Sequence, residues 1–200
     1  MQTVLVLYYS RNGSTAALAR QVCRGVESVA GVTAMLRTVP PVTTVIDAPE
    51  SPVPASGPPY ASHEDLARCD GLVLGSPTRF GNMAAPLKYF LDGTSAAWAS
   101  GALVGKPAGV FTSTSTQHGG HESTLLSMML PLLHHGMVIC GLPFTEPAVV
   151  RTQRGGGPYG AGMLGAADGA APTDDERALA QLLGRRIAEL ALRLAPRGDT

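Results

Sequence analysis

The segment of residues 75–83 carries residue types that suit a flat ligand. It follows an apolar run at residues 71–74 that is typical of a buried β-strand. Arg79 supplies a fixed positive charge, Phe80 a planar apolar side chain and Asn82 an amide group. Open α/β sheets bind ligands beyond the carboxyl ends of their strands. We therefore expect this segment to contact a flat aromatic ligand that has a polar edge.

Residues 10–15 have the composition of a phosphate-binding loop. They lie between an apolar run at 3–9 and a helical pattern, and they offer hydroxyl groups, Gly13 and the N–H groups of a helix N-terminus. The segment matches neither the Walker A motif nor the G-x-G-x-x-G dinucleotide turn. Its lack of a lysine favours a phosphate monoester over a triphosphate. A polar N-cap and turn would have a similar sequence, so both interpretations stay open here.

A third polar segment, residues 112–120, is rich in serine, threonine and glycine. Small side chains of these types let backbone amides approach the polar edge of a ring. A flexible surface loop would have the same composition. However, all three segments follow predicted strands, so they are expected at one edge of the sheet. Together they favour a flavin with a phosphate group over three unrelated turns.

The elements that must position these segments alternate along the chain. Strands are predicted at residues 3–9, 32–39, 71–75, 107–112 and 137–140. Helices are predicted at residues 15–29, from 62 to about 69, from 84, from about 121 to 134 with Pro131 bending or shortening it, and from 173 onward. This order predicts the α/β class, with a doubly wound, five-stranded parallel sheet and helices on both faces.

Composition sets the outer limits of the interpretation. The 200 residues predict a single domain, 1–200, with long loops at about 40–61 and 142–172, because seven of the sixteen prolines lie in 40–59. Lysine plus arginine and aspartate plus glutamate number 15 each, which argues against nucleic acid as a partner. The apolar run at 3–9 is too short to insert stably in a membrane. Three widely spaced cysteines predict reduced thiols and a cytoplasmic location.

Other chemistries fit the chain less well. The end of the first strand lacks the carboxylates of a receiver domain and the cysteine of a low-molecular-weight phosphatase. There is no G-x-S-x-G elbow for serine hydrolysis. The histidines at 118, 121, 134 and 135 match no common zinc spacing, so we expect no metal.

The chain resembles the WrbA family of flavodoxin-like NAD(P)H:quinone oxidoreductases. The resemblance rests on residues 4–10 with Gly13, on residues 98–103 with Gly105 and Lys106, and on residues 75–83, 134–138 and 157–161. It extends from the first strand to the final helix, and the runs at 75–83 and 134–138 are the most specific.

The resemblance implies a flavodoxin-like fold that holds one FMN per subunit. Residues 10–15 would cradle the phosphate, 77–81 would line the isoalloxazine, and 113–119 would face its pyrimidine edge and the ribityl chain. The cofactor-binding residues it implies are Ser10, Arg11, Asn12, Gly13, Ser14, Thr15, Pro77, Thr78, Arg79, Phe80, Gly81, Ser113, Thr114, Ser115, Thr116, Gln117, Gly119 and His134.

The resemblance also implies an activity. NADH or NADPH and then a quinone would occupy the space above the flavin in turn, which gives two-electron reduction by a ping-pong mechanism. Arg79 and His134 would be the catalytic residues, and Asn12, Phe80 and Trp98 would contact the substrates. The family forms homotetramers in which neighbouring subunits can contribute active-site walls. Many relatives have an aromatic residue where this chain has Asn12, so the choice between NADH and NADPH stays open.

Two alternatives remain at this point, a flavodoxin-type FMN electron carrier and an FMN-binding regulatory scaffold. Electron carriers of this type are usually strongly acidic, whereas this chain has a formal net charge of zero. Its long segments at 40–59 and 142–172 also suit the walls of a substrate site. The enzyme is therefore the favoured interpretation.

Overall fold

The computed structural model describes residues 1–43, 54–165 and 171–195. Within these ranges the chain forms six strands and seven helices. The strands are β1 (Gln2–Tyr8), β2 (Val32–Thr38), β3 (Gly71–Pro77), β4 (Pro107–Thr114), β5 (Val138–Ile139) and β6 (Ala161–Leu164). The helices are α1 (Ser14–Glu27), α2 (His63–Arg68), α3 (Ala85–Asp92), α4 (Ser95–Ala99), α5 (His121–His134), α6 (Pro147–Arg151) and α7 (Asp174–Leu194).

All strands of the sheet run parallel, in the order β2-β1-β3-β4-β5. At its start β4 pairs with β5, and at its end it pairs with β6. The two short strands β5 and β6 thus share the fifth position of the sheet. This order is that of a doubly wound, flavodoxin-like fold. The predicted fold class is confirmed, with one strand more than the five predicted.

Side chains that alternate along β1 seal both faces of the sheet. Val4 and Val6 pack in a cluster with residues of α1 and α7, whereas Leu5 and Leu7 pack in a cluster with residues of α2, α3 and α5. All four are fully buried. Because successive side chains of a strand point to opposite faces, an uninterrupted apolar run is what a sheet covered on both faces requires.

The prediction that residues 142–172 form one irregular loop is wrong. This segment contains α6 and β6, and the helix α4 was also not predicted. These elements have five, four and five residues, which is too short for a periodic pattern to show. Residues 44–53 of the first predicted loop and 166–170 of the second lie outside the described residues.

Several predicted boundaries also need correction. β3 ends at Pro77 and β4 at Thr114, each two residues beyond the prediction, and β5 has two residues where four were predicted. The strands continue through polar positions because Ser76 and Thr112 are fully buried and bonded to each other: Thr112 Oγ1 donates to the Ser76 carbonyl at 2.8 Å. Pro131 does not shorten α5, which reaches the predicted end at His134.

Capping boxes open α2 and α7 where the sequence predicts these helices to begin. Ser62 Oγ accepts a hydrogen bond from the Asp65 amide at 3.0 Å, and Thr173 Oγ1 accepts one from the Glu176 amide at 3.3 Å. Glu176 is fully buried and also accepts from the Leu164 amide at 2.8 Å. The cap of α7 therefore holds the end of β6 in place.

Candidate functional site

A cavity of about 330 Å³ lies at the carboxyl edge of the sheet, where β1, β3 and β4 end. It is lined by Ser10, Arg11, Asn12, Ser14, Thr15, Pro77, Thr78, Arg79, Ser113, Thr114, Ser115 and Gly165. All of these except Gly165 are among the residues predicted to bind the cofactor. The remaining predicted site residues do not line it, and they are Gly13, Phe80, Gly81, Trp98, Thr116, Gln117, Gly119 and His134.

The segment between β1 and α1 presents the start of a helix to this cavity. Gly13 adopts φ +89°, and its amide donates to Ser10 Oγ at 3.2 Å. A Cβ at this position would meet nothing within 4 Å, so the left-handed backbone, and not lack of space, favours glycine. No side chain of the described residues caps α1. The N–H groups of its first turn are thus available to an anion.

Ser113 at the end of β4 connects the three polar segments. Its Oγ lies 2.8 Å from Thr15 Oγ1, and its carbonyl accepts a hydrogen bond from the Thr78 amide at 2.9 Å. Thr15 and Ser113 are both buried. The segments that follow β1, β3 and β4 are therefore held in register beneath the cavity.

Residues 79–82 form a tight turn beside the cavity. The Arg79 amide donates to the Asn82 carbonyl at 2.7 Å, and the Asn82 amide donates back at 3.0 Å. Phe80 (φ 54°) and Gly81 (φ 78°) both have positive φ, as a type I′ turn requires. A positive φ is costly for a bulky residue, and the Phe80 side chain is fully exposed. An exposed aromatic residue on a strained backbone points to a role in binding.

The base of this turn is fixed by Ser76. Its fully buried Oγ accepts a hydrogen bond from the Ala84 amide at 2.8 Å and donates to the Pro77 carbonyl at 2.8 Å. One hydroxyl group thus joins the two ends of the loop from Pro77 to Ala84 by hydrogen bonds. Ser76 is not among the predicted site residues, although a serine directly after an apolar run is a signal for a buried polar link.

Among the described residues, the cavity wall carries an excess of positive charge. Arg11 and Arg79 line it, and no acidic residue of these ranges does. Within the described ranges neither arginine forms an ion pair. Arg79 is oriented by a hydrogen bond of 2.7 Å from Nη1 to the Thr78 carbonyl. Because the chain as a whole has no net charge, this local excess favours an anionic ligand.

Gly165, which the sequence analysis missed, closes the cavity beside β6. Its amide donates to the Thr114 carbonyl at 2.8 Å. A Cβ at Gly165 would lie 2.6 Å from Ser14 Oγ. Glycine at this position therefore leaves the Ser14 hydroxyl its place in the cavity wall. The short apolar run before it was the available signal.

His121 supports the cavity from behind as a neutral side chain. Thr114 Oγ1 lies 2.6 Å from His121 Nε2 and donates its proton to the Thr116 carbonyl at 2.7 Å. His121 Nε2 must then carry the proton that joins the pair, which leaves Nδ1 as an acceptor. Nδ1 is buried and has no partner in the described part of the chain. Burial lowers the pKa of His121, and nearby Glu122 and Glu176 offset this only in part.

Trp98 and His134 lie together, but away from the cavity of their own chain. Trp98 Nε1 donates to the His134 carbonyl at 2.9 Å. His134 ends α5 shortly before Val138, whose amide donates to the Lys106 carbonyl just before β4 begins. Trp98 and His134 are thus at the amino edge of the sheet. The cavity lies at the other end of β4. The rise per residue of a β-strand puts the two ends of this strand about 20 Å apart.

Across 1–43, 54–165 and 171–195, no group of three histidine, cysteine, aspartate or glutamate side chains is arranged to hold a metal ion. In the same ranges no helix has the length and apolar character needed to cross a bilayer.

The parallel order of the strands and a ligand cavity between β1 and β3, where that order reverses, define a flavodoxin-like protein. The chain belongs to the family of NADPH-dependent FMN reductases, whose pattern matches residues 3–144. It is 45% identical to a protein of Solidesulfovibrio magneticus and 44% identical to one of Syntrophobacter fumaroxidans, both named NAD(P)H dehydrogenase (quinone). Each comparison covers 96% of this chain and 98% of the relative.

Solved structures agree with this fold. A flavodoxin, WrbA-like protein from Agrobacterium tumefaciens superimposes with a TM-score of 0.66 at 22% identity, over 97% of this chain and 99% of the other. A flavodoxin from the domain Archaea gives a TM-score of 0.63 at 21% identity, over 96% and 99% of the two chains. The family and fold predicted from the sequence motifs are confirmed.

The residues present fit FMN. A phosphate monoester needs N–H donors and positive charge, and the uncapped start of α1 with Arg11 offers both. A flat ring with polar edges needs small residues and hydroxyl groups close by, which Thr78, Ser113 and Thr114 supply. Within the described part of the chain, no acidic side chain in the cavity wall would repel the phosphate.

Proposed function

We propose that this protein is an FMN-dependent NAD(P)H:quinone oxidoreductase. The name of its relatives supports the reaction, and its family supports the cofactor. The observation that carries the proposal is the cavity at the carboxyl edge, where two arginines and the start of α1 meet, with the exposed Phe80 on the adjoining turn. This arrangement suits a phosphorylated, flat cofactor with room for a second flat molecule beside it.

In this proposal each of the three segments contacts a different part of the cofactor. Residues 10–15 hold the phosphate, 77–81 line the ring, and 113–119 face its pyrimidine edge and the ribityl chain. The hydrogen bond between Thr15 and Ser113 keeps the first and third segments at a fixed spacing. Pre-organised segments of this kind reduce the entropy lost when a ligand binds.

The reaction consumes NAD(P)H, a proton and a quinone, and it yields NAD(P)⁺ and a hydroquinone. FMN, when bound, supplies the two-electron redox chemistry that links the two substrates. Phe80 offers an apolar face to a flat substrate, and the Arg79 guanidinium stabilises negative charge as it develops on a quinone oxygen. Because both substrates use one face of the site, the mechanism is ping-pong.

Assembly into a homotetramer completes the site in this proposal. Trp98 and His134 are exposed at the amino edge and do not reach the cavity of their own chain. Leu126, Leu130 and Leu133 form an exposed apolar stripe on α5, the helix that ends at His134. Burying this stripe against another subunit would bring Trp98 and His134 to a neighbouring cavity, where His134 could assist Arg79 and Trp98 could contact the quinone.

We further place the protein in the cytoplasm, because Cys23, Cys69 and Cys140 are all free thiols, as a reducing compartment favours.

Steady-state kinetics test the reaction and its order. With NADPH and benzoquinone varied against each other, the proposal requires double-reciprocal lines that are parallel. Lines that intersect would require both substrates to bind at once. Lack of quinone reduction by the FMN-loaded protein would refute the function itself.

A further inference from the structure

A second cavity, of about 640 Å³, adjoins the one described above. Arg11 and Arg79 line both cavities, so the two are contiguous. Tyr9, Met83 and Pro86 add an apolar wall, and Lys88 on the first turns of α3 adds a third cation. Lys88 does not line the first cavity.

The charge of this second cavity is its distinctive property. Among the described residues, its wall has three cationic side chains and no acidic one. Lys88 forms an ion pair with Asp92 one turn further along α3, but Asp92 is not part of the wall. Like-charged side chains repel one another, so a wall with three cations and no anion is stabilised by a ligand that brings negative charge.

A quinone is neutral, so its recognition does not require these cations. FMN carries one phosphate group, for which residues 10–15 and the start of α1 already provide donors. The other proposed substrate, a nicotinamide dinucleotide, carries a pyrophosphate, and NADPH carries a 2′-phosphate in addition. A dinucleotide whose nicotinamide reaches the ring beside Arg79 must place its phosphates in adjoining space.

We propose that this second cavity, through Arg79 and Lys88, binds phosphate groups of the nicotinamide dinucleotide. The inference rests on the proposed function and extends it, because it names the residues that recognise the reductant. It also offers a basis for nucleotide binding that does not depend on an aromatic residue at position 12.

The substitution Lys88→Gln in the FMN-loaded protein tests this inference. Asp92→Asn is a matched control, because it breaks the same ion pair on α3 and keeps the cation in the cavity wall. The direct readout is calorimetric binding of two probes, ADP-ribose and 2′-phospho-ADP-ribose. The kinetic readout is the KM for NADH and for NADPH, each compared with the KM for benzoquinone.

We expect Lys88→Gln to weaken binding of the phosphate ligand roughly three- to tenfold, as loss of one partly screened charge contact predicts. The KM for the dinucleotide should rise by a similar factor, with the KM for benzoquinone and FMN retention unchanged. An effect confined to 2′-phospho-ADP-ribose and NADPH assigns Lys88 to the 2′-phosphate. An equal effect on both probes assigns it to the pyrophosphate, and both results support the inference.

Two results would overturn it. Either Lys88→Gln binds both probes as the wild type does, or Asp92→Asn weakens them as much as Lys88→Gln. Both leave FMN binding and quinone reduction intact, so they count against the subsite alone. By contrast, a wild-type protein that retained no FMN or reduced no quinone would refute the proposed function.

Discussion

Thr15 Oγ1 and Ser113 Oγ lie 2.8 Å apart, in a buried hydrogen bond that spans 98 residues of sequence. Thr15 belongs to the first turn of α1, and Ser113 to the end of β4. This contact therefore joins the segment proposed to hold a phosphate to the one proposed to face a ring. Its energy can be measured apart from any ligand.

We expect Thr15→Val and Ser113→Ala each to lower the free energy of unfolding by about 1–2 kcal/mol, because each leaves a buried hydroxyl without its partner. The double variant should lose less than the sum, with a coupling of about 0.5 kcal/mol or more. Urea denaturation of the four proteins measures this. Strict additivity would mean that the contact contributes nothing.

Phe80 should lower the stability of the folded protein while its side chain supports activity. Asparagine followed by glycine is favoured in type I′ turns, so Phe80→Asn should raise the free energy of unfolding by about 1 kcal/mol. The same change removes the exposed ring and should lower quinone turnover. Phe144 is exposed but lacks a positive φ, so Phe144→Asn should not stabilise the protein. A Phe80→Asn variant that is less stable than the wild type would contradict the claim that the backbone is strained at Phe80.

His121 should make stability fall in mild acid. Its pKa is lowered in the folded protein, so the unfolded chain binds the proton more readily. Stability is therefore complete above the ordinary histidine pKa of about 6.5 and declines as the pH drops below it. His121→Gln should flatten the profile of unfolding free energy between about pH 5 and 7.

His118→Gln, which changes an exposed histidine, is the matched control substitution. Buried His135 has its pKa lowered in the same direction, so the profile of His121→Gln should flatten only in part. An unchanged slope in His121→Gln would show that His121 takes up no proton in this range.

Assembly and activity should be coupled through α5. If the protein forms the proposed tetramer, Leu130→Asp should reduce it to smaller species, because the substitution places a charge in the apolar stripe. The variant should retain FMN and lose most quinone reduction, since Trp98 and His134 would no longer reach another cavity. Light scattering and turnover measure the two effects, with Leu192→Asp on α7 as the control. Full activity in a Leu130→Asp monomer would contradict the shared site.

The local parts of the site could be predicted from the sequence, and the relations between distant parts could not. The segments with Ser10, Arg79 and Ser113 could be recognised from their polar composition and from their position directly after an apolar strand. Gly165 was missed because β6 exists only through its pairing with the end of β4. The position of His134 relative to the cavity depends on where α5 ends, and a helix that follows a strand returns to the opposite edge of the sheet.

The visible absorbance spectrum tests the central claim most directly. The protein, saturated with FMN and freed of excess, should retain one FMN per chain. NADPH should bleach the flavin absorbance, and benzoquinone should restore it in an amount equal to the NADPH consumed. A protein that retains no flavin, or whose absorbance NADPH leaves unchanged, would contradict the account.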